Sequence, residues 1–342
     1  MRNGPLSELQ RLAFAGHGGN LNAARLAYPQ APEPWLDLST GINPYPYLFA
    51  ELPPECATRL PEPQALCALE QAAASSYHVP ATMEVIAAPG TQAIINWLPY
   101  LLPARRVGIL GFTYSEYARS WAASGAEVTI VEDLAGLADK DVAIIVNPNN
   151  PDGRRIAACE LHALAAAMSK HDGLLIVDEA FIDFLEPGAS VVLDMPARGI
   201  VALRSFGKTF GLPGLRLGFA IAPTPLAEKL RAALGPWPVS GAAIAIGSKA
   251  LLDKAWLAST RAKLEVDAAA LEELLVAAGF ASIGGGCLFQ LVRHVDAQSQ
   301  FEHLAERGIL VRRFEAHPTW LRFGTVRSDG ERARLRTAVS AG

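Results

Sequence analysis

Short apolar runs alternate with helical segments through the middle of this chain, and this alternation limits its fold more than any other feature. The apolar runs are Val107–Leu110, Val128–Val131, Val142–Val146, Leu174–Val177, Ile200–Leu203 and Phe219–Ile221. The helical candidates that separate them include Thr91–Leu102, Ser115–Ser124 and Ala158–Lys170. Strands that are apolar along their whole length are typical of a parallel sheet covered by helices on both faces. We therefore predict an α/β fold.

The segments on either side of this alternation predict a second, smaller domain. Residues 1–35 are expected to form an irregular arm because they are interrupted by glycines and prolines. Residues 242–278 are expected to be one long, mostly helical stretch, followed by strands of an α+β unit at Phe289–Val292, Ile309–Val311 and Trp320–Phe323. A length of 342 residues suits such a pair of domains. The predicted division is an arm and part of the small domain at 1–45, a large domain at 46–240, and a connecting helix with the C-terminal small domain at 241–342.

Composition and charge exclude several classes of function. The net charge of −4 gives no basic excess for nucleic acid. Apolar runs stay below the ~18 residues of a membrane span, and the first residues lack the apolar core of a secretory signal. The four cysteines form no CxxC pair, so neither a metal site nor a disulfide framework is predicted. We expect a cytoplasmic protein that acts on a small molecule.

A lysine in a glycine-rich segment, Lys208, follows one of the predicted strands and should lie at the carboxyl edge of the sheet, where open α/β sheets bind ligands. A phosphate-loop lysine is rejected because Ala202 stands where that motif requires glycine. The remaining alternatives are a solvated surface lysine and a lysine that forms a Schiff base with a carbonyl compound.

Three further motifs at the same edge favour the Schiff base. Asp178 ends a buried strand, Asn147–Gly153 follows another, and Gly90-Thr91 precedes a helix. Individually these are ordinary turn and cap sequences. Together they supply a carboxylate for a pyridinium nitrogen, an amide for a phenolic oxygen, and a helix start for a phosphate. The set predicts pyridoxal 5'-phosphate as the cofactor.

The order of these motifs resembles that of fold-type I pyridoxal-phosphate enzymes, the class I/II aminotransferases, over almost the whole chain. The resemblance implies a large domain with a mostly parallel seven-stranded sheet, a smaller α+β domain and a homodimer. It implies that Lys208 carries the cofactor, Asp178 pairs with the ring nitrogen and Tyr114 stacks on the ring. These three are the predicted catalytic residues. Further cofactor contacts are implied for Gly90, Thr91, Asn150, Ser205 and Arg216.

Within this family the chain resembles the threonine-phosphate decarboxylases of cobalamin biosynthesis. The likeness lies in Gly16–Asn20, Asp37–Pro44 and Pro236–Ser240. It implies conversion of L-threonine O-3-phosphate to (R)-1-amino-2-propanol O-2-phosphate and CO₂. The implied substrate-binding residues are His17, Ser39, Asn43, Arg312 and Arg322, with Arg322 on the α-carboxylate.

Two alternatives stay open from the sequence. The histidinol-phosphate aminotransferases are similar, and they would use the same lysine to transfer an amino group. A non-enzymatic protein of the same fold is the second alternative. Two positions depart from the pattern: Phe181 stands where many relatives have tyrosine, and Leu60 replaces a tyrosine of the histidinol-phosphate aminotransferases.

Overall fold

A computed structural model describes residues 16–340 of the chain. Its α-helices are α1 (Leu21–Ala27), α2 (Glu55–Thr58), α3 (Pro63–Ser76), α4 (Thr91–Leu101), α5 (Glu116–Ala123), α6 (Ala158–Met168), α7 (Phe206–Thr209), α8 (Thr224–Leu234), α9 (Gly241–Ala250), α10 (Lys254–Ala277), α11 (Ala297–Glu306) and α12 (Asp329–Ser340). Its strands are β1 (Leu36–Leu38), β2 (Glu84–Ala88), β3 (Arg106–Leu110), β4 (Glu127–Val131), β5 (Val142–Val146), β6 (Leu174–Asp178), β7 (Ile200–Ser205), β8 (Gly218–Ala222), β9 (Ala281–Gly286), β10 (Phe289–Arg293), β11 (Ile309–Phe314) and β12 (His317–Gly324).

The larger sheet has seven strands in the order β2-β8-β7-β6-β5-β3-β4. Strands β4, β3, β5, β6 and β7 are parallel to one another, whereas β8 is antiparallel to both β7 and β2. The predicted fold class, α/β with a mostly parallel seven-stranded sheet, is confirmed. Strand β2 was not among the predicted strands.

Both faces of this sheet are buried except at the edge strand β4, which explains why its inner strands are largely apolar. Successive side chains of a strand point to opposite faces. In β5, Ala143 and Ile145 belong to one hydrophobic cluster, and Val142 and Ile144 belong to another. The two clusters lie on opposite faces of the sheet, so polar side chains are left for the strand ends.

The smaller sheet has five strands in the order β1-β11-β12-β10-β9. Strand β1 pairs parallel with β11, and the other pairs are antiparallel. Helices α1, α10, α11 and α12 contribute to its hydrophobic core, in which Phe301 and Phe323 are fully buried. The α+β unit expected near the C-terminus is therefore completed by a strand from the N-terminal region.

The chain divides into two compact units. One takes the described residues up to Tyr45 and those from Ser259 onward, and the other is Pro46–Ala258. The second boundary thus falls at 258/259 rather than at the predicted 240/241. Helix α9 explains the difference, because it packs against α2 and α3 in the larger unit.

One local prediction was wrong. The arm was expected to be irregular, but it contains α1, which Asn20 caps by accepting a hydrogen bond from the backbone N–H of Ala23 at 3.1 Å. The stretch 242–278 is mostly helical, as predicted, and is divided by a short break between α9 and α10. Asp253 begins the second helix there by accepting from the backbone N–H of Trp256 at 2.9 Å.

Within residues 16–340, none of the helices combines the length and the apolar character that crossing a membrane requires.

Candidate active site

The buried carboxylate of Asp178 lies at the carboxyl end of β6 in the larger unit. One carboxylate oxygen accepts from the Tyr117 hydroxyl at 2.9 Å, and the other accepts from the backbone N–H of Ala180 at 3.0 Å. Neither donor is charged, so the carboxylate keeps its negative charge for another partner. An anion in this position suits a ring nitrogen that has to stay protonated.

Two tyrosines extend the site from Asp178. The rings of Tyr114 and Tyr117 meet edge to face with centroids 6.4 Å apart. The Tyr114 hydroxyl donates to the side-chain oxygen of Gln92 at 2.9 Å. Burial raises the pKa of Tyr114 to about 12, and the charges of Glu116 and Asp178 act in the same direction. The phenol therefore stays neutral at ordinary pH.

Lys208 lies in the single-turn helix α7, directly after β7. Its ammonium nitrogen lies 4.6 Å from the ring centroid of Phe181, which follows Asp178 by three residues. A cation over an aromatic face is an attractive contact. The lysine and the carboxylate predicted from the sequence therefore lie on adjoining segments of the same unit, linked through Phe181.

A close approach between Gly90 and Arg216 forms the third part of the site. A Cβ atom on Gly90 would lie 2.6 Å from a terminal nitrogen of Arg216, so the guanidinium rests against this glycine at the start of α4. Gly218 is equally restricted, because a Cβ there would lie 2.5 Å from the backbone nitrogen of Thr91. Ser205 pairs with Gly218 in the sheet register. A helix N-terminus, a hydroxyl and a guanidinium therefore meet, as a phosphate site requires.

The loop after β5 carries Asn150. Asn147 anchors the loop by donating its backbone N–H to the carbonyl of Asp178 at 2.9 Å. The side-chain amide of Asn149 donates to the carbonyl of Phe112 at 3.0 Å and to Asp152 at 2.8 Å. The Asn150 loop is thereby tied both to the strand end of Asp178 and to the segment before Tyr114.

A pair of arginines dominates the other predicted group, which lies in the smaller unit. Arg312 and Arg322 stand opposite each other in the register of β11 and β12. Burial lowers the pKa of Arg322 to about 9; the charge of Arg312 contributes, and that of Asp37 opposes. Burial also lowers the pKa of Arg312. The two guanidinium groups, one of them buried, therefore form a cationic pair of the kind that binds an anion.

The glycine-rich segment Gly16–Asn20 is attached to these arginines. Arg312 donates to the carbonyl of Gly16 at 2.6 Å, and Arg322 donates to the carbonyl of Ser39 at 2.8 Å. The Ser39 hydroxyl donates to Asp37 and accepts from the backbone N–H of Gly19 at 2.7 Å. These contacts place the segment that carries His17 beside the two arginines.

Ser39 and Asn43 are both buried. The Ser39 hydroxyl donates its one proton to Asp37 and accepts from Gly19. Ser39 is therefore placed to hold the arm rather than to donate to a substrate. The side-chain oxygen of Asn43 accepts from the backbone N–H of Tyr45 at 2.9 Å.

Sequence reasoning missed the partners of the predicted residues. Tyr117 holds Asp178 and Gln92 holds Tyr114, but sequence reasoning assigned neither residue a role of its own. A helical spacing of three residues between Tyr114 and Tyr117 was the one available signal. Glu179 and Arg204 lie beside predicted residues in the sequence and were given no role.

The family model for aminotransferases of class I and II matches residues 50–341. A threonine-phosphate decarboxylase from Sinorhizobium is 45% identical over 95% of this chain and 97% of the relative. The chain belongs to the threonine-phosphate decarboxylase family. A second relative with that name, from Pseudomonas aeruginosa, is 39% identical over 94% of this chain and 96% of its own.

Structural similarity agrees with this family at the level of the fold. The solved L-threonine-O-3-phosphate decarboxylase of Porphyromonas gingivalis superposes with a TM-score of 0.72 at 21% identity, over 90% of this chain and 98% of that one. The resemblance predicted from the sequence, to threonine-phosphate decarboxylases among the class I/II aminotransferases, is confirmed.

Proposed function

We propose that this protein is a pyridoxal-phosphate-dependent decarboxylase that converts L-threonine O-3-phosphate to (R)-1-amino-2-propanol O-2-phosphate and CO₂ in cobalamin biosynthesis. Membership of the threonine-phosphate decarboxylase family supports the reaction. The observation that carries the choice of substrate is the pair formed by Arg312 and the buried Arg322, which face each other in one register of the smaller sheet. A substrate with two anionic ends needs two such cations.

The residues of the larger unit fit the cofactor. The cofactor phosphate would be held by Gly90, Thr91, Ser205 and Arg216. Because Gly90 has no side chain, the guanidinium of Arg216 can approach the start of α4 closely. Asp178 would pair with the ring nitrogen and Tyr114 would cover one face of the ring. Asn150 would donate to the phenolic oxygen, and Phe181 leaves that oxygen without a tyrosine partner.

When bound, pyridoxal phosphate supplies an electron sink for the pair of electrons left by the broken Cα–carboxylate bond. Asp178 would lie against the ring nitrogen and favour its protonated form, while Tyr117 and Ala180 hold the carboxylate as neutral donors. Lys208 would hold the cofactor covalently. The Lys208 amine would also be the acid that returns a proton to the substrate Cα.

Orientation decides between loss of CO₂ and loss of the Cα proton. The protein would have to hold the carboxylate, rather than the Cα hydrogen, in the direction that the cofactor ring activates. Arg322 would bind the carboxylate through two parallel hydrogen bonds, and Arg312 with His17 would bind the phosphate. Ser39 and Asn43 would support the same pocket by holding the surrounding backbone.

Product analysis tests this function. The protein, reconstituted with pyridoxal phosphate, is incubated with L-threonine O-3-phosphate, with and without 2-oxoglutarate. We expect CO₂ and aminopropanol phosphate in equal amounts, independent of 2-oxoglutarate, and no product from Lys208→Ala. Amino transfer to 2-oxoglutarate without CO₂ would instead assign the aminotransferase activity.

We also propose that the enzyme acts as a homodimer in the cytoplasm. Trp237, 53% exposed, lines an apolar groove of about 310 Å³ with Pro61, Leu66 and Leu234. Leu60, next to this groove, is 64% exposed. Exposed apolar surface of this kind is typical of an interface. Sedimentation should show a dimer that Trp237→Glu weakens, and a fully active monomer would refute the assembly.

A further inference from the structure

A buried ionic cluster lies beneath the Lys208 turn, and the proposed reaction does not use it. Arg204 donates to Glu179 at 3.3 Å and also to Asp183. The side chains of Arg204, Glu179 and Asp183 are 6%, 0% and 7% exposed. The second carboxylate oxygen of Asp183 accepts from the Thr209 hydroxyl. One carboxylate therefore joins the residue four positions before Lys208 to the residue directly after it.

Glu179 has further hydrogen-bond partners in the cluster, and burial raises its pKa against the opposing effect of Arg204. Glu179 also accepts from the Ser190 hydroxyl at 2.7 Å and from the backbone N–H of Val191 at 2.8 Å. Burial alone lowers the pKa of Arg204, but the charges of Asp183 and Glu179 outweigh it, so this pKa stands above its ordinary value. A buried arginine between two carboxylates holds a defined geometry, because its guanidinium donates to both of them from fixed positions.

The Lys208 turn needs this external support. Helix α7 has four residues, far fewer than the ~12 that a helix needs to be stable in water. It also contains Gly207, whose backbone is the least restricted of any residue. A Cβ on Gly207 would lie 2.9 Å from the Cα of Pro213, so the turn is confined on that side as well. Contacts with other segments therefore determine where the lysine lies.

The same cluster reaches the strand end that carries the other proposed catalytic group. Glu179 follows Asp178 directly, and its backbone N–H donates to the carbonyl of Leu203 in β7 at 2.9 Å. Arg204 therefore connects the Asp178 segment, through Glu179, with the Lys208 turn, through Asp183. The distance between the carboxylate and the amine depends on this connection.

We infer that Asp183 is a positioning residue that clamps both ends of the Lys208 turn and so holds the amine where it attaches to the cofactor aldehyde. Attachment forms one carbon–nitrogen double bond and releases one water. This inference rests on the proposed function, because it concerns the same lysine. Asp183 acts through Thr209 and Arg204, without contact with the cofactor.

The test measures attachment separately from folding and from turnover. Purified protein is stripped of cofactor and mixed with pyridoxal phosphate, and samples are reduced with borohydride at successive times. Peptide mass analysis then gives the labelled fraction of Lys208, while thermal unfolding and retained cofactor are measured in parallel. The variants are Asp183→Asn, which removes the charge, Thr209→Val, which removes one hydroxyl, and Thr209→Ser, which restores it.

We expect Asp183→Asn and Thr209→Val to attach the cofactor roughly tenfold more slowly or worse, since a displaced reacting group loses rate steeply. Thr209→Ser should match the wild type. Thr325→Val is the matched control: it removes a buried threonine hydroxyl that donates to the carbonyl of Cys287 at 2.7 Å in the other unit. It should lower stability without changing attachment.

Unchanged attachment in Thr209→Val, together with lower thermal stability, would overturn the inference and leave a structural role. If Asp183→Asn does not fold, Thr209→Val and Thr209→Ser decide the outcome, because they leave the ionic cluster intact. A wild-type protein whose Lys208 stays unlabelled would contradict the proposed function itself, independently of Asp183.

Discussion

Tyr117 donates its phenolic hydrogen to Asp178 at 2.9 Å, and both side chains are buried. Burial and the neighbouring charge of Asp178 hold the pKa of Tyr117 well above its ordinary value, so the phenol remains a donor. The tyrosine orients the carboxylate without neutralising it. The proposed ring-nitrogen partner is therefore held in place by a group that carries no charge.

Replacing the carboxylate and replacing its donor should give different results. Asp178→Asn should lower kcat by about a hundredfold or more, since it removes an electrostatic group at the reacting centre. Tyr117→Phe should cost about 1–2 kcal/mol of stability, with a smaller loss of kcat, because the carboxylate remains. Steady-state kinetics and denaturant unfolding measure the two effects. An Asp178→Asn enzyme with full activity would remove Asp178 from the mechanism.

Variants of the two arginines should differ in the substrate for which kcat/KM falls. Arg312→Gln should lower kcat/KM for L-threonine O-3-phosphate but not for L-threonine, because the proposed contact is with the phosphate. Arg322→Gln should lower kcat/KM for both substrates, because it removes a charge-assisted pair worth on the order of 2 kcal/mol. The measurement is kcat/KM for both substrates with each variant. Equal losses from Arg312→Gln would contradict its assignment to the phosphate.

Substrate binding should be sensitive to an alanine substitution at Gly18 of the arm and should tolerate one at Gly16. A Cβ on Gly18 would lie 2.2 Å from the carbonyl oxygen of Ser39, whereas one on Gly16 would meet nothing within 4 Å. Gly18→Ala should therefore displace the segment that carries His17 and raise KM for the phosphorylated substrate. Gly16→Ala is the matched control and should leave KM unchanged.

Ser39→Ala should act in the same direction as Gly18→Ala, by the loss of two hydrogen bonds worth about 1 kcal/mol each. Faster proteolysis of the arm in both variants would locate the cause there. If KM stays normal in both, the arm has no part in substrate binding.

The alkaline stability of the cofactor-free protein should depend in part on Tyr114. Its pKa is about 12 in the folded protein and 10.0 when unperturbed. Between these values the folded state keeps a proton that the unfolded state has lost, so stability falls as pH rises. Tyr114→Phe should show a smaller fall over this range in denaturant unfolding. An identical pH profile in the variant would mean that Tyr114 is not buried as described.

The sequence predicted the large sheet well because its strands are buried on both faces and so read as continuous apolar runs. Strand β2 escaped notice since its run, Val85–Ala88, ends in alanines that have weak strand preference. The small unit was harder to predict because its strand β1 comes from the N-terminal region. This strand pairs with β11, from which it is separated by most of the sequence. Lys208 and Asp178 were predicted from their places at strand ends, and Arg216 was predicted from the family resemblance.

Residues that act through other residues left no comparable signal. Asp183 lies 21 residues before Arg204 in sequence and meets it only in the folded chain. Asp37 similarly orients Ser39 without belonging to a motif of known chemistry. Pairings of this kind depend on tertiary structure, so reasoning from a single sequence finds the groups that do chemistry before it finds the groups that hold them.

Decarboxylation in heavy water tests the central claim most directly, because it follows the substrate carbon itself. The enzyme is incubated with L-threonine O-3-phosphate in D₂O, and the product is examined by NMR. We predict aminopropanol phosphate with a single deuterium on the carbon that bore the carboxylate, its original hydrogen retained. Recovery of unreacted substrate with deuterium at Cα, or of a keto product, would contradict the claim that this site breaks the bond to the carboxylate.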